Sequence, residues 1–181
     1  MAHYQSIDEN IFVVSEFFSP EECKAYIDLS EGIGFEDAPI TTAMGFIMRP
    51  DIRNNTRVIL DDTERATTLW DRCREYIPKI DCLSPTGVNE RFRFYRYESG
   101  QKFYWHRDGY FKRDCGERSY LTFMIYLNDD FEGGETSFTV GKIPPKQGMA
   151  LFFLHPLLHQ GDEVTKGRKY VLRTDVMFDV A

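Results

Sequence analysis

The chain has 181 residues, of which 42% are hydrophobic and 28% charged, and its formal net charge is −7. This length suits one domain with its own core, and the composition excludes a disordered chain. The acidic balance disfavours a broad nucleic-acid surface, which would need clustered Lys and Arg, and no apolar run reaches the roughly 18 residues of a membrane span.

Two helices are predicted in the N-terminal half. The first begins at the capping box Ser19–Glu22 and ends near Gly32. The second runs from about Asp62 to Ile77, where apolar residues recur at helical spacing and a proline follows. The intervening segment 36–61 has weak periodicity, so we interpret it as a strand and loop near the mouth of a pocket.

The C-terminal half alternates apolar and polar residues with the period of β-strands. The pattern predicts strands at 91–97, 119–128, 135–140, 149–154 and 169–178. The stretch 160–167 is polar and is interpreted as a link. Helices followed by short strands predict an α+β fold whose β part is a barrel or double-sheet jelly roll. We expect a single domain, 1–181, with a support region at 1–90 and a catalytic core at 91–181.

The cysteines show no metal-type spacing, and the N-terminus lacks the basic and apolar regions of a signal peptide. Free thiols and a reducing compartment are therefore expected. We predict a cytoplasmic protein whose partner is a small molecule or a peptide, with no nucleic-acid or membrane partner.

A metal-ligating set is predicted from His106, Asp108 and a histidine further along the chain. Two imidazoles and one carboxylate on one face of a metal leave open positions, as in non-haem Fe(II) oxygenases. Zinc is the chemical rival, but hydrolytic zinc sites with these ligands usually use a His-Glu-x-x-His helix, which the chain lacks. His155 and His159 both follow strands, and spacing does not choose between them. His3 lies in a terminus expected to fray and is given no role.

The segment 96–108, Arg-Tyr-Glu-Ser-Gly-Gln-Lys-Phe-Tyr-Trp-His-Arg-Asp, resembles a signature of prolyl 4-hydroxylase-like 2-oxoglutarate oxygenases. That signature runs from Arg-Tyr-x-x-Gly to His-x-Asp. Further segments resemble the same family, so that the resemblance spans residues 91–178; they lie at 126–128, 133–138, 145–148 and 150–153. The resemblance implies a double-stranded β-helix (jelly-roll) core flanked by N-terminal helices.

The resemblance also implies the metal ligands. The distal histidine of the family is followed by Val, Gly and a basic residue, and here His159 is followed by Val164, Gly167 and Lys169. The implied ligands of Fe(II) are therefore His106, Asp108 and His159, while His155 supports them or is structural.

The cosubstrate, 2-oxoglutarate, carries a second carboxylate that needs a positive partner inside the barrel. The resemblance implies a salt bridge from Lys169 and a hydrogen bond from Tyr97. Strand alternation places Lys169, Val171, Arg173 and Asp175 on one face, so Arg173 is a second candidate. In the alternative interpretation Arg173 pairs with Asp175 or another nearby acid.

The activity implied is that of an Fe(II)- and 2-oxoglutarate-dependent dioxygenase that hydroxylates a C–H bond and releases succinate and CO2. O2 is the second cosubstrate, ascorbate is an optional addition, and peptidyl proline is the leading substrate. Because Asp108 is present, the family pattern implies hydroxylation rather than halogenation. Alternatives are a hydroxylase of a free amino acid or small metabolite, a non-catalytic metal-binding sensor or scaffold, and a zinc hydrolase.

Two groups near the predicted site have open roles. Phe103, Tyr104 and Trp105 form either a substrate wall or part of the core. Arg53 and Arg57 either anchor an anionic substrate or form surface ion pairs, which contribute little to stability.

Overall fold

The protein is built mainly from antiparallel strands, with two helices in its N-terminal half. A computed structural model describes residues 2–42 and 45–179. The helices are α1 (Pro20–Ile33) and α2 (Thr63–Cys73). The strands, in chain order, are β1 (His3–Asp8), β2 (Ile11–Ser15), β3 (Glu36–Asp37), β4 (Ile40–Thr42), β5 (Gly45–Ile47), β6 (Thr56–Asp61), β7 (Pro85–Val88), β8 (Arg91–Glu98), β9 (Phe103–His106), β10 (Arg118–Tyr126), β11 (Glu132–Gly133), β12 (Thr136–Phe138), β13 (Gly141–Ile143), β14 (Ala150–Leu154), β15 (His159–Gly161), β16 (Val164–Lys166) and β17 (Arg168–Phe178).

The main sheet has the order β1-β2-β14-β10-β17-β8-β6-β3, and β7 also pairs with β17. A second sheet has the order β13-β12-β15-β9, and two small pairs, β11-β16 and β4-β5, lie outside both. The strand registers bring distant residues side by side, since Lys169 pairs with Tyr97 and His159 with His106. These antiparallel sheets form the predicted jelly-roll core.

The core occupies both faces of the main sheet because its strands alternate. On β8, Phe92 and Phe94 join a cluster that includes buried residues of both helices, whereas Tyr95 and Tyr97 face the opposite way. That second cluster also contains Phe138 of the smaller sheet. Burial of apolar area on both faces therefore holds three layers together: helices, main sheet and small sheet.

The first helix begins as its capping box predicts. The Ser19 side chain accepts a hydrogen bond from the Glu22 backbone N–H at 3.2 Å, and the Glu22 carboxylate accepts one from the Ser19 backbone N–H at 2.7 Å. Glu22 also accepts a bond from Arg72 of α2 at 2.6 Å, which joins the two helices. Neither helix in residues 2–42 and 45–179 combines the length and apolarity that crossing a bilayer demands.

The second helix is shorter than predicted, because it ends at Cys73 rather than near Ile77. Beyond that point the backbone N–H groups of Tyr76 and Ile77 bond three residues back, to Cys73 and Arg74, which tightens the chain into a turn before the proline. Apolar periodicity continues through this turn, so the sequence pattern alone overstates the helix.

Other differences concern strands too short or too polar to show a pattern. The expectation of a frayed N-terminus was wrong, since His3 starts β1 and pairs with Ser15. The predicted link 160–167 contains β16 and most of β15, and the segment 36–61 contains four short strands. Within that segment, residues 43 and 44 lie outside the described residues. The N-terminal strands β1 and β3 also form the two edges of the main sheet. The division into a support region at 1–90 and a catalytic core at 91–181 stays a prediction.

Candidate metal centre and adjoining pockets

Strand pairing brings His106, Asp108 and His159 together. His106 ends β9 and His159 begins β15, and the two residues are partners in the register of that pair. Asp108 follows β9 and lies between the two rings, with its Oδ1 3.8 Å from His106 Nε2 and its Oδ2 3.7 Å from His159 Nε2. One ligand atom from each residue lies within 4.8 Å of the others, so the three could hold a metal ion.

Backbone carbonyls fix the orientation of both histidine rings. His106 Nδ1 lies 2.7 Å from the carbonyl oxygen of Tyr104, and His159 Nδ1 lies 2.9 Å from that of Leu157. A carbonyl oxygen only accepts, so each Nδ1 must carry the proton and donate it. In a ring held this way Nε2 is the nitrogen left to bind a metal ion, and both Nε2 atoms lie within 4 Å of the Asp108 carboxylate.

The charges in this cluster suit a cation. Burial, followed by the nearby His159, lowers the pKa of His106 to about 4, so its imidazole is neutral near pH 7. Burial alone would raise the pKa of Asp108, but the Arg173 guanidinium and the two histidines outweigh it and hold that pKa below its usual range. The donor set therefore offers a neutral imidazole at His106 and a carboxylate at Asp108, beside the second imidazole of His159.

A buried hydrogen-bonded chain orients Asp108. Thr122 Oγ1 donates to Asp108 Oδ2 at 2.5 Å and lies 2.9 Å from His155 Nδ1. His155 Nε2 lies 2.9 Å from Ser119 Oγ, which in turn accepts the backbone N–H of Phe111. These roles are mutually consistent if His155 is neutral with its proton on Nδ1, and burial does lower its pKa to about 4. His155 thus lies outside the cluster and supports it.

Thr122 and Ser119 were not anticipated from the sequence. Both are fully buried on β10, a strand otherwise lined with large apolar side chains. A buried hydroxyl needs a partner, so two such residues in an apolar strand are a signal for a polar network. The sequence alone does not give this signal, because it does not show that the two hydroxyl side chains are buried.

An inner pocket opens on one side of the cluster. Its lining includes the three clustered residues together with Tyr95, Tyr97, Phe103, Met124, Thr136, Gly161, Lys169, Val171 and Arg173. Of the predicted cosubstrate contacts, Lys169, Tyr97 and Arg173 are therefore all present on this pocket.

Lys169 is the cation at the inner end of this pocket. Its side chain is 2% exposed, its Nζ donates to the Gly134 carbonyl at 2.6 Å and lies 5.2 Å from the centre of the Tyr97 ring. Burial lowers the pKa of Lys169 to about 8, and Asp162 and Glu135 oppose that shift only in part. No carboxylate of the described residues lies within 4 Å of Nζ, so the ammonium is available to form an ion pair with an anion that enters the pocket.

Gly134 makes room for this lysine. Its φ is +69°, and a Cβ there would lie 3.2 Å from Lys169 Cδ and 3.0 Å from Val164 Cγ2. A side chain would be strained by the backbone conformation and would press on the lysine stem.

Arg173 is already paired within the protein. Its Nη2 lies 2.9 Å from Asp175 Oδ1 and 3.3 Å from Asp108 Oδ2. Burial lowers the pKa of Arg173, but the two carboxylates outweigh it and raise that pKa. The ion pair with Asp175 that the sequence left as an alternative is therefore present.

An outer cleft of about 680 Å³ adjoins the cluster, with His106 and Asp108 in its lining. Arg53, predicted either to bind an anion or to form a surface ion pair, is only 5% exposed and lies over the Tyr95 and Phe103 rings at 4.6 and 4.4 Å. Arg57 lines the same cleft. Among the described residues neither arginine has a carboxylate within 4 Å, so no surface ion pair of either is found.

The three aromatic residues before Asp108 have different surroundings. Phe103 lines both pockets and stacks on His106 with ring centres 3.5 Å apart. Trp105 lines only the outer cleft, and Tyr104 is 52% exposed and lines neither pocket. A wall role thus fits Phe103 and Trp105 but not Tyr104.

The cluster of His106, Asp108 and His159 lies where the inner pocket and the outer cleft adjoin, so a metal ion bound there could contact a molecule in each. A metal at the cluster would meet an anion held by Lys169 on one side and a second molecule in the outer cleft on the other. Tyr95, Phe103, His106, Asp108 and Arg173 line both spaces.

Comparison with known proteins relates the chain to a group of oxygenases. The family model of the 2OG-Fe(II) oxygenase superfamily matches residues 92–174. Prolyl 4-hydroxylase 13 of Arabidopsis thaliana is 26% identical over 198 residues, which cover 93% of this chain and 71% of the relative.

Solved structures show the same fold. A viral collagen prolyl hydroxylase from Paramecium bursaria Chlorella virus-1, in complex with 2OG, superposes with a TM-score of 0.68 at 22% identity, covering 96% of this chain and 97% of the other. A prolyl hydroxylase from Trichoplax adhaerens, in complex with a peptide of a hypoxia inducible factor, gives a TM-score of 0.68 at 17% identity and covers 92% and 83%. Both likenesses support the double-stranded β-helix core.

Proposed function

We propose, from the premise that this chain is a prolyl 4-hydroxylase-like member of the 2OG-Fe(II) oxygenase superfamily, that it hydroxylates a C–H bond in a proline-containing peptide. As a member of that superfamily it is an oxidoreductase of the dioxygenase class, with Fe(II) as its cofactor and 2-oxoglutarate and O2 as its cosubstrates. The observation that carries the proposal is the convergence of two Nε2 lone pairs and one carboxylate where two pockets meet.

We assign His106, Asp108 and His159 as the ligands of Fe(II). The donor set fits this ion, because neutral imidazole and carboxylate suit a borderline divalent metal and three ligands leave positions for cosubstrates. The carbonyl groups that hold each Nδ1 and the Thr122 hydroxyl on Asp108 keep these donors oriented before a metal binds.

We assign Lys169 as the partner of the distal carboxylate of 2-oxoglutarate, with Tyr97 beside it. Lys169 is buried in the inner pocket with no carboxylate of the described residues within 4 Å, whereas Arg173 already contacts two. Arg173 then has another role, which is to balance the charge of Asp108 and hold it toward the metal.

The residues of the chain divide the work of the reaction. When bound, Fe(II) with 2-oxoglutarate and O2 supplies the oxidising power, and succinate and CO2 are the by-products. The inner pocket orients 2-oxoglutarate through Lys169, and the apolar side chains of Met124 and Val171 exclude water from it. Phe103 separates the inner pocket from the outer cleft, where the substrate binds.

Peptidyl proline is favoured as the substrate because the similar proteins are prolyl hydroxylases. The Trichoplax adhaerens enzyme binds a peptide, and the outer cleft of this chain has the size of a ligand site. A free amino acid or small metabolite would fit the same cleft and is the second candidate. We also propose a cytoplasmic location, which the free state of Cys23, Cys73, Cys82 and Cys115 supports.

The direct test loads the protein with Fe(II) without oxygen, then adds 2-oxoglutarate and air, with and without a mixture of proline peptides and metabolites. We expect iron-dependent succinate, increased by a true substrate, whose hydroxylation is read by mass spectrometry. Zn(II)-loaded protein is the matched control and should form none. Absence of succinate under all conditions, with tight Zn(II) binding, would favour a hydrolase or a scaffold.

Binding of 2-oxoglutarate should weaken at alkaline pH. Because the pKa of Lys169 is about 8 in the free pocket, the ammonium is present below that pH and is progressively lost above it. Above pH 8 the anion binds only with uptake of a proton, so Kd should rise by up to about tenfold per pH unit. Tyr97 and Tyr126 do not contribute to this pH dependence, because burial raises the pKa of each phenol above its ordinary value and so keeps both phenols protonated near pH 8.

Calorimetry on the anaerobic Fe(II) protein, in buffers of different ionisation enthalpy, measures both Kd and the protons taken up. Lys169→Met is the control and should remove the dependence near pH 8. A flat profile in the unmodified protein would show that Lys169 is not the anchor.

A further inference from the structure

The outer cleft concentrates positive charge in a chain whose net charge is −7. Its lining contains six arginines, namely Arg53, Arg57, Arg91, Arg93, Arg107 and Arg173. Among the described residues that line it, the one acid is Asp108, which we assign to the metal. The cleft is therefore cationic even when its own acid is counted.

Three of these arginines have acidic partners. Arg91 makes a two-point contact with Asp61, with both N···O distances 2.8 Å. Arg173 pairs with Asp175 at 2.9 Å, and Arg93 lies 3.5 Å from the same carboxylate. Arg93 shares that single charge with Arg173, and its Nη1 is buried with no hydrogen-bond partner in residues 2–42 and 45–179. Its charge is therefore only partly balanced.

Arg53 and Arg57 are not balanced by any carboxylate within 4 Å among the described residues. Arg53 Nε donates to the Asn55 side chain at 2.8 Å, but Arg53 Nη2 and Arg57 Nε are buried with no hydrogen-bond partner in the part of the chain that the structure describes. Burial, and then the nearby Arg53, lowers the pKa of Arg57. A buried guanidinium without a counter-charge lowers the stability of the fold. The presence of two such groups in one cleft therefore points to an anion that arrives with a ligand.

The position of Arg53 ties this charge to the metal centre. Its guanidinium lies 4.4 Å from the centre of the Phe103 ring, and that ring stacks on His106 at 3.5 Å. Arg53 is therefore one aromatic ring away from a proposed metal ligand. An anion held there would lie next to the group that is oxidised.

We propose that the outer cleft recognises a carboxylate of the substrate, which Arg53 and Arg57 bind while Arg93 adds charge beside the metal centre. This inference rests on the proposed oxygenase function and specifies its substrate class. A planar guanidinium matches a carboxylate in two-point geometry. A long polyanion fits less well, because it would extend from the cleft onto the rest of the protein, whose net charge is negative and would repel it. The carboxylate belongs either to Asp or Glu beside the target residue of a peptide or to a free amino acid.

The test measures binding without turnover, on the anaerobic Fe(II) protein with 2-oxoglutarate. The probes are proline peptides that differ only by Asp or Asn next to the proline, and, in a second arm, free proline against prolinamide. We expect the carboxylate form of one pair to bind at least about tenfold more tightly, and the difference to shrink as salt is added.

Variants assign this preference to residues. Arg57→Gln and Arg53→Gln should each bring the ratio of the Kd values of the two probes toward one. Arg57→Gln is the less disruptive of the two for folding, because Arg57 is less buried than Arg53. Arg74→Gln is the matched control, since this arginine lies on the surface at the end of α2 and pairs with Asp71 at 3.4 Å. It should leave the ratio unchanged.

The outcomes separate the sources and the two proposals. Preference for the Asp peptide identifies an acidic peptide, and preference for free proline identifies a small carboxylate. Equal binding within both pairs, or a preference that survives in both variants, overturns the carboxylate proposal. Succinate formation without any preference overturns this inference alone. A preference in a protein that never forms succinate would support the cleft and overturn the oxygenase.

Discussion

Replacing His106 or Asp108 by Ala is expected to reduce iron-dependent succinate formation by at least about a hundredfold, since even outer contacts of a metal centre commonly change affinity ten- to a hundredfold. Each change removes one of three donors that face a common point. The measurement is succinate formed per minute with the Fe(II) content of each variant and its unfolding temperature.

The two variants differ in their effect on folding. His106→Ala removes a half-buried ring, whereas Asp108→Ala also removes one of the two carboxylates beside Arg173 and is expected to lower the unfolding temperature more. His3→Ala is the matched control, because His3 lies in the exposed β1. Full activity in a folded His106→Ala protein would refute the ligand assignment.

Replacing Lys169 by Met is expected to raise the apparent KM for 2-oxoglutarate by about ten- to a hundredfold, the range of a lost hydrogen bond to a charged group. Met keeps an unbranched side chain but removes the ammonium, whose nitrogen lies 5.2 Å from the centre of the Tyr97 ring and 5.5 Å from that of Tyr126. Activity at saturating 2-oxoglutarate should fall much less, because the metal donors are intact. The initial rate of succinate formation against 2-oxoglutarate concentration separates the two parameters.

Arg173→Gln supplies the comparison. Since Arg173 contacts Asp108 rather than an empty part of the pocket, this change should lower Fe(II) affinity or the rate more than it raises the KM for 2-oxoglutarate. If Arg173→Gln raises the KM steeply and Lys169→Met does not, the two assignments must be exchanged.

Local patterns were enough to predict several elements. The capping box at Ser19, the alternation on β8 and the long apolar strands β10, β14 and β17 all depend on neighbouring residues, and each was found within a few residues of its predicted place. Very short strands such as β15 and β16 were missed, because three residues cannot display a period and their pairing partners lie far away in the chain.

The choice between His155 and His159 illustrates the limit at the site. Spacing left both open, and only family resemblance favoured His159. In the structure the register of β9 with β15 places His159 beside His106, while His155 turns toward Ser119 and Thr122. The assignment of either residue to a metal stays a proposal, but their different positions follow from strand pairing.

The sequence by itself determined the α+β class and the helix starts, and it indicated the donor set and the family resemblance, because these depend on local patterns and on residue types along the chain. Only the tertiary structure decided that Arg173 is paired with Asp108 and Asp175, that Lys169 has no carboxylate partner in residues 2–42 and 45–179, and that Arg53 and Arg57 share a cationic cleft. The physical reason is that ion pairing and burial depend on distances between residues that are far apart in sequence, and strand registers fix those distances.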